Sequence, residues 1–595
     1  MLTRRNVFGL FLACLLTALS ACNQNGSPAV APSQKLAPAK PVGPPLFEDI
    51  TASSGVDFTY RNGEDTADHL SILESLGGGA GLIDYNGDGL LDIFLPGGGG
   101  FAGKDKHDIV GFGCKLYQNL GNGKFKDVTA TVGLDKLAGG RPWFYTHGVA
   151  VADYDRDGWP DLLVTGWKGV ALFRNVAVDP ANPKAGRRFE DVTAAAGLAA
   201  GIDWATSAAF ADLDGDGYPD LYLCQYVDWS WAKNPKCNYD GKTPDVCPPR
   251  HFDGLMHRLY LNTGKGNFVD VSNQAGLHAG GANQSKGLGV VVVDVDGDGK
   301  PDIYVANDTV DNFLYLNKST RGALKFSEHG MLSGCARDDR GTPNGSMGVD
   351  AGDPERSGKP SIWVTNYENE LHALYRNESA PGRPFFHFRT AALGIAAIGQ
   401  KYVGWGTGFL DVDLDGWEDL FVANGHAIRF PTGKDSHRKQ QPVLLRNAEK
   451  RFADITGQLG DYAKRPHLAR GVALGDLDND GRTDLVISHM NEPAAILRGI
   501  GGKEHHWLGL QLVGKDHACI VGAKAMLAVN GQRITRWVKG GGSYASACDQ
   551  RILFGLGKST TSVLTIIWPD GSEQRFEGLA VDRYHRIVQG DKTAK

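Results

Sequence analysis

Charge of one sign, cysteine, long apolar runs and helical periodicity are all scarce in this 595-residue chain, and each scarcity removes a class of protein. Lys and Arg number 62 against 68 Asp and Glu, a formal charge of −6, so no basic excess points to nucleic acid. Nine cysteines carry no spacing suited to zinc or haem attachment. The apolar stretch from Val7 to Leu19 is too short to span a bilayer. Glycine, by contrast, reaches 80 residues, a balance that fits a turn-rich β-protein.

Catalytic signatures are missing as well. Gly557-Lys558-Ser559 ends like a P-loop, but the glycine required five residues earlier is Ile552. Gly98 to Gly103 fits GxGxxG with no helix or acidic partner after it, which predicts a flexible loop. Gly542-Ser543-Tyr544 runs into Ala545, so the nucleophile elbow is absent. His147, His257, His372, His426, His467 and His489 are scattered and predict ordinary surface or core histidines. A binding module is therefore favoured over an enzyme.

What is present is one acidic nine-residue loop, six times over: DYNGDGLLD, DYDRDGWPD, DLDGDGYPD, DVDGDGKPD, DVDLDGWED and DLDNDGRTD. The expected oxygen ligands are Asp84, Asn86, Asp88 and Asp92; Asp153, Asp155, Asp157 and Asp161; Asp212, Asp214, Asp216 and Asp220; Asp294, Asp296, Asp298 and Asp302; Asp411, Asp413, Asp415 and Asp419; and Asp476, Asp478, Asp480 and Asp484. Main-chain carbonyls of Leu90, Trp159, Tyr218, Lys300, Trp417 and Arg482, at position 7, can add one oxygen per loop. Hard oxygens around a tight Gly bend suit Ca2+, and about six structural ions are expected. Carboxylates this crowded repel one another unless a cation compensates.

An EF-hand does not fit. It would place Glu at position 12 and then a helix, whereas position 12 is Leu95, Val164, Leu223, Val305, Val422 and Ile487. Short apolar runs such as Ile303-Tyr304-Val305 read as buried strands, so each loop joins two strands. A seventh, decayed copy, Asp353 to Ser361, keeps the frame and the Gly but has Ser at positions 5 and 9, and is expected to have lost its ion. A small residue stands five before every loop: Gly79, Gly148, Ser207, Gly289, Gly348, Gly406 and Gly471. A Phe followed eight residues later by Gly also occurs seven times, from Phe47/Gly55 to Phe452/Gly460. Loop starts lie 69, 59, 82, 59, 58 and 65 residues apart, one β-unit iterated with insertions. The expectation is an all-β chain: a seven-bladed β-propeller over residues 47–500, with the small −5 residue near a crowded axis, and a small C-terminal β-domain over 501–595. An open solenoid is the lesser alternative.

The loops, with their flanking Gly and trailing Asn307, Asn366 and Asn424, resemble the FG-GAP/VCBS repeats of integrin-α-type propellers. Trp507 to Leu512, Gly540 to Tyr544, Phe554 to Gly557 and Ile567 to Gly571 resemble the ASPIC/UnbV domain of cartilage acidic protein-like proteins. Glu74 to Gly79 and Asn424-Gly425-His426 are similar to further stretches of that family. The resemblance implies an extracytoplasmic calcium-binding propeller with a C-terminal β-domain and brings no enzymatic activity.

Arg4-Arg5, the apolar stretch and Leu19-Ser20-Ala21-Cys22 resemble a bacterial lipobox, implying a signal peptide over 1–21 and lipidation of Cys22. Asn23 after the Cys favours the outer membrane by resemblance to sorting rules. Residues 22–46, rich in Pro and Ala, read as a tether. Loss of residues 1–21 removes two Arg and takes the formal charge from −6 to −8. Of the seven cysteines left, Cys237 and Cys247 are the best expected pair and Cys519 and Cys548 the next.

Aromatics cluster in two insertions, Trp229, Trp231, Tyr239, His251 and Phe252 in one and Trp143, Phe144 and Tyr145 in the other. They suit either ligand stacking or capping of a core. If alternation turns the residue before each −5 position to the axis, His147 and Arg470 meet a ligand there. The expected function is a lipid-anchored module of the bacterial envelope that binds a glycan or protein. A carbohydrate-active lyase or dehydratase, or an envelope assembly scaffold, are the alternatives.

Overall fold

The computed structural model describes residues 43–595 apart from 184, 278–284 and 450. The expected signal peptide, Cys22 and the tether up to residue 42 lie outside the described residues.

The chain is all-β, as expected. Seven antiparallel sheets follow one another, six of four strands and the fourth of five, its extra strand being Gly540–Gly541. Their first strands are Gly81–Ile83, Thr146–Ala152, Ala205–Ala211, Gly287–Val293, Val349–Gly352, Gly404–Leu410 and Ala469–Gly475. Each runs into one of the seven acidic loops, and the next strand begins on position 9: Asp92, Asp161, Asp220, Asp302, Ser361, Asp419 or Asp484. The loops therefore join strand to strand. First strands pack on their neighbours in order, and Ala469–Gly475 packs on Gly81–Ile83, closing a ring in the manner of a propeller. Phe47–Asp49 pairs with Ala495–Gly499 and supplies the seventh sheet's outer strand, tying the two ends of the ring together.

Two sequence rules acquire causes here. A Cβ at Gly148 would lie 2.6 Å from the Thr206 carbonyl, at Gly289 2.4 Å from that of Met347, and at Gly348 2.0 Å from that of Trp405. At these three positions the next sheet's backbone occupies the space, and at Gly79 the Ala545 carbonyl does, 1.7 Å from a Cβ; Ser207 instead donates its hydroxyl to the Leu288 carbonyl. At the rim, Gly55, Gly197, Gly276 and Gly334 have φ between 77° and 88°. A Cβ there would come within 2.7–2.9 Å of the carbonyl of Phe125, Phe268, Phe326 or Phe386, the signature Phe of the next unit. Gly460 meets Phe47 in the same way and completes the circuit. Positive φ and close approach together demand glycine.

The strands from His506 onward form two further sheets. His506–Val513 lies antiparallel to Ile552–Gly557 and parallel to Tyr584–Val588. Lys524–Val529 is flanked by Gln532–Trp537 and Val563–Ile567, with Glu573–Glu577 at the edge. Between them, residues 540–547 leave these sheets and enter the axis of the ring. There the backbone of Ala547 bonds Ala80 and Leu82, Ala545 receives the Val149 N–H, and Gly542 donates to Val290. Ser543 donates to Val349 from its N–H and to Val472 from Oγ, while Thr407 donates to that Oγ and Ala545 donates to Ser207 Oγ. This one segment is hydrogen-bonded to all seven sheets.

Cys237 and Cys247 form a disulfide, with sulfurs 2.06 Å apart. The expected Cys519–Cys548 pair is not made; both are free. Cys519 is held to the third loop through Gly217, whereas the neighbours of Cys548 are bonded to Ala80 and Leu474 on other sheets. The path through the axis separates them. Half of the insertion aromatics cap cores: Trp143, Tyr145, Trp229 and Phe252 are buried.

Candidate cation-binding loops

Each loop is wound around its first carboxylate. The N–H of the position-6 Gly donates to one oxygen of position 1 at 2.7–3.0 Å in all six acidic loops, from Gly89–Asp84 to Gly481–Asp476. Those glycines have φ of 82–92°, which a side chain would resist. At position 7, the N–H groups of Leu90, Trp159, Tyr218, Lys300, Trp417 and Arg482 donate to the position-5 carboxylate at 2.8–3.0 Å. Position 9 is buried in every one of the six. Its Oδ2 accepts the position-2 N–H at 2.8–3.1 Å in each of the six, so it anchors the loop's entry.

Side-chain oxygens of positions 1, 3 and 9 then converge. They lie within 4.8 Å of one another for Asp153, Asp155 and Asp161, for Asp212, Asp214 and Asp220, for Asp294, Asp296 and Asp302, and for Asp411, Asp413 and Asp419. Position 5 is partly committed to its own loop's amide, a division of labour that spacing did not reveal. The decayed loop keeps the wrap, with Gly358 donating to Asp353 at 2.6 Å, but Ser357 and Ser361 leave it two carboxylates fewer.

Whether a cation fits is decided by atoms left over. Asp155 Oδ1, Asp296 Oδ2, Asp413 Oδ1 and Asp478 Oδ1, all at position 3, are buried and accept no hydrogen bond. A buried carboxylate oxygen without a donor is costly, and one repeated in four loops marks a cation site. Burial first, and then the neighbouring carboxylates, push Asp153 up to about 7 and Asp411 up to about 8. Asp212 and Asp476 rise to about 6, again chiefly through burial. Burial likewise drives Asp161, Asp220, Asp302, Asp419 and Asp484 well above the usual carboxylate range. The donor set is oxygen alone, as a hard divalent cation prefers. Outer cations help: Arg174 reaches Asp155 at 2.5 Å, and Arg446 pairs with Asp413.

Sequence reading missed the residue that links the loops. Asn119, Asn175, Asn262, Asn317 and Asn447 donate their N–H to the position-9 carboxylate at 2.7–2.9 Å. Their Nδ2 atoms, with that of Asn377, each bridge two carbonyls, one in their own loop and one at position 2 of the preceding loop. Asn175 spans Pro160 and Tyr85, Asn262 spans Pro219 and Tyr154, and Asn317 spans Pro301 and Leu213. The signal was present, because each Asn pairs across a hairpin with the signature Phe (Asn119 with Phe125, Asn317 with Phe326).

His147 and Arg470 do turn inward, but no ligand space separates them. Both are fully buried; His147 Nδ1 faces the Gly77 carbonyl at 3.0 Å and Arg470 grips that of Ser75 at 2.9 Å. Leu288, Met347, Trp405 and Tyr544 fill the same core. The remaining singled-out histidines are also buried. His426 accepts the Ile428 N–H on Nδ1 and faces Glu368 with Nε2 at 3.2 Å.

Comparison with known proteins agrees with this geometry. Residues 84–164, 256–305 and 411–487 match the FG-GAP-like repeat model, and residues 514–594 match the ASPIC and UnbV model. Cartilage acidic protein 1 of Xenopus tropicalis is 25% identical over 518 residues, covering 75% of this chain and 74% of the relative. The Homo sapiens protein of that name is 25% identical over 492 residues, covering 72% and 70%. Among solved structures, an Agrocybe aegerita lectin recognising non-reducing terminal N-acetylglucosamine aligns at 16% identity with a TM-score of 0.37, covering 69% of this chain and 85% of that one. Rhamnogalacturonan lyase YesW aligns at 13% identity with a TM-score of 0.34, covering 71% of each. The chain thus carries FG-GAP-like repeats followed by an ASPIC/UnbV domain.

Proposed function

We propose that six of the loops hold Ca2+ as structural ions, and that the chain is a binding module tethered through Cys22 to the bacterial envelope, on its outer membrane. The four position-3 oxygens that accept no hydrogen bond carry the cation reading; one of them, Asp296 Oδ2, has Lys318 Nζ at 3.9 Å. Bound ions would neutralise carboxylates that burial and mutual repulsion otherwise hold protonated.

A binding role rather than catalysis is supported by the filled axis. With Tyr544 in its centre, the ring offers a ligand its outer face and insertions. There Phe430 and Tyr239 are 52% and 37% exposed; Tyr239 belongs to the disulfide-bonded insertion and donates to the Val246 carbonyl, and the Phe430 N–H donates to Asp245 of the same insertion. Arg429 pairs nearby with Glu64, Asp68 and Glu74. Exposed aromatics beside ordered charge suit a glycan or a protein surface. His426, with both ring nitrogens engaged, is not a free base for the alternative, a lyase or dehydratase.

The test is retention of the mature protein on a polysaccharide panel with calcium and with EGTA, scoring product release in parallel. Calcium-dependent retention without product supports the module. Product release would make the protein an enzyme, and failure on every glycan would leave envelope proteins as its partners in an assembly scaffold.

A further inference from the structure

The strands after residue 506 rest on the acidic-loop side of the ring, and at the sixth loop they touch a ligand directly. Tyr584 donates its hydroxyl to Asp476 Oδ2 at 2.9 Å, the oxygen that also accepts the Gly481 N–H at 2.7 Å. Arg551 donates to the Asp476 carbonyl and to Asn479 Oδ1, both at 2.6 Å. Its guanidinium lies over the Tyr584 ring at 4.4 Å and is balanced by Asp549 at 2.8 Å. Trp507 closes the bend: a Cβ on Gly481 would fall 2.0 Å from its ring. Three residues distant in sequence thus converge on one loop from outside the repeat that contains it.

We propose that the sixth cation site is composite, completed by Tyr584 and Arg551, so that cation binding there and seating of the C-terminal sheets are one coupled event. This rests on the reading of the acidic loops as Ca2+ sites. Asp476 is fully buried, and a carboxylate is a good ligand only when its plane is fixed. Two donors on Oδ2 fix that plane, while Oδ1 faces the loop interior and accepts only the Asp480 N–H, at 3.1 Å. Hydrogen bonds of this kind to a ligand typically change metal affinity by about 10–100-fold. Because the donors come from another part of the chain, the coupling is reciprocal: the ion holds the sheets and the sheets hold the ion. Tyr584 is a positioning residue, since it reaches the site through Asp476.

The experiment is hydrogen exchange of the whole mature protein, freed of metal with EGTA and titrated with Ca2+. The segments Asp476 to Asp484 and Tyr584 to Val588 are expected to gain protection at one shared midpoint. Tyr584→Phe should raise that midpoint about tenfold and leave the fourth loop, Asp294 to Asp302, unmoved. Arg551→Lys, which keeps the charge but loses the fork, should shift the same two segments and serves if the first variant does not fold. An unchanged sixth-loop midpoint in a folded variant, or an equal shift in the fourth loop, overturns the composite site while leaving the Ca2+ reading intact. No calcium-dependent protection in any loop overturns both.

Discussion

Asn119 donates from Nδ2 to the carbonyl of Leu477 at 2.8 Å, joining residues 358 positions apart and closing the circuit of loops. The same side chain serves Leu91 in its own loop at 3.0 Å. In the seventh sheet Gly499 occupies this place; its N–H still reaches Asp484 at 2.7 Å, but it has no side chain with which to bridge. Six brackets therefore hold a seven-membered ring.

Replacement of one bracket should be expensive. Asn317→Ala strips buried carbonyls of Leu213 and Pro301 of a shared donor and is expected to cost about 2–4 kcal/mol. Guanidinium unfolding reads this directly, and a loss below about 0.5 kcal/mol would show that the bracket contributes nothing.

The ion count follows from which loops keep their acids. Elemental analysis after exhaustive dialysis should find six Ca2+ per chain. Asp155→Asn is expected to remove or weaken one of them, whereas Glu355→Gln, in the decayed loop, should leave the number unchanged. EGTA should lower the melting temperature markedly, and a profile indifferent to calcium refutes the structural role of the ions.

Protons and ions compete for the same oxygens. Without metal, Asp153 is raised to about 7 and Asp411 to about 8, mainly by burial. An acid raised on folding binds protons more tightly in the folded state. Its effect is absent below the unfolded value near 4, destabilises increasingly as pH rises from there, and levels off above the folded value. The metal-free protein should therefore lose stability from these groups between about pH 4 and 8, and Ca2+ should abolish that loss. Binding at pH 7 must then release protons, and less so at pH 9. Calorimetry in two buffers of different ionisation enthalpy measures the release; identical heats would contradict it.

How much of this was legible depends on how local each cause is. The acidic loops, the strands after them and the seven repeats could be read because their spacing is fixed within a few residues. The signature Phe and Gly were visible as a rhythm, but not their reason, since Gly55 needs its conformation because of Phe125 in the next unit. The bracketing Asn was hidden because insertions vary its distance from position 9 of its own loop, 14 residues for Asn175 but 27 for Asn119 and 42 for Asn262. The axial segment gave no local signal: Gly540 to Tyr544 looked like part of a separate domain, and only the fold carries it to all seven sheets. The mistaken Cys519–Cys548 pairing came from the same source.

That segment yields the strongest structural prediction. Tyr544 is fully buried, meets Trp405 edge-on at 4.9 Å between ring centres and donates to the Leu76 carbonyl at 3.0 Å. Tyr544→Ala would open a cavity beside Met347 and Trp405 and is expected to cost about 3–5 kcal/mol. A chain ending at residue 500 loses every hydrogen bond between residues 540–547 and the ring and leaves Trp405, Met347 and Leu288 without their axial cover. Such a chain should be aggregated or molten at a calcium concentration that keeps the full chain folded. Size exclusion and near-ultraviolet dichroism of the two chains decide the matter. A monomeric ring with native dichroism and an unchanged melting temperature would mean that the axial segment merely occupies a ring already complete without it.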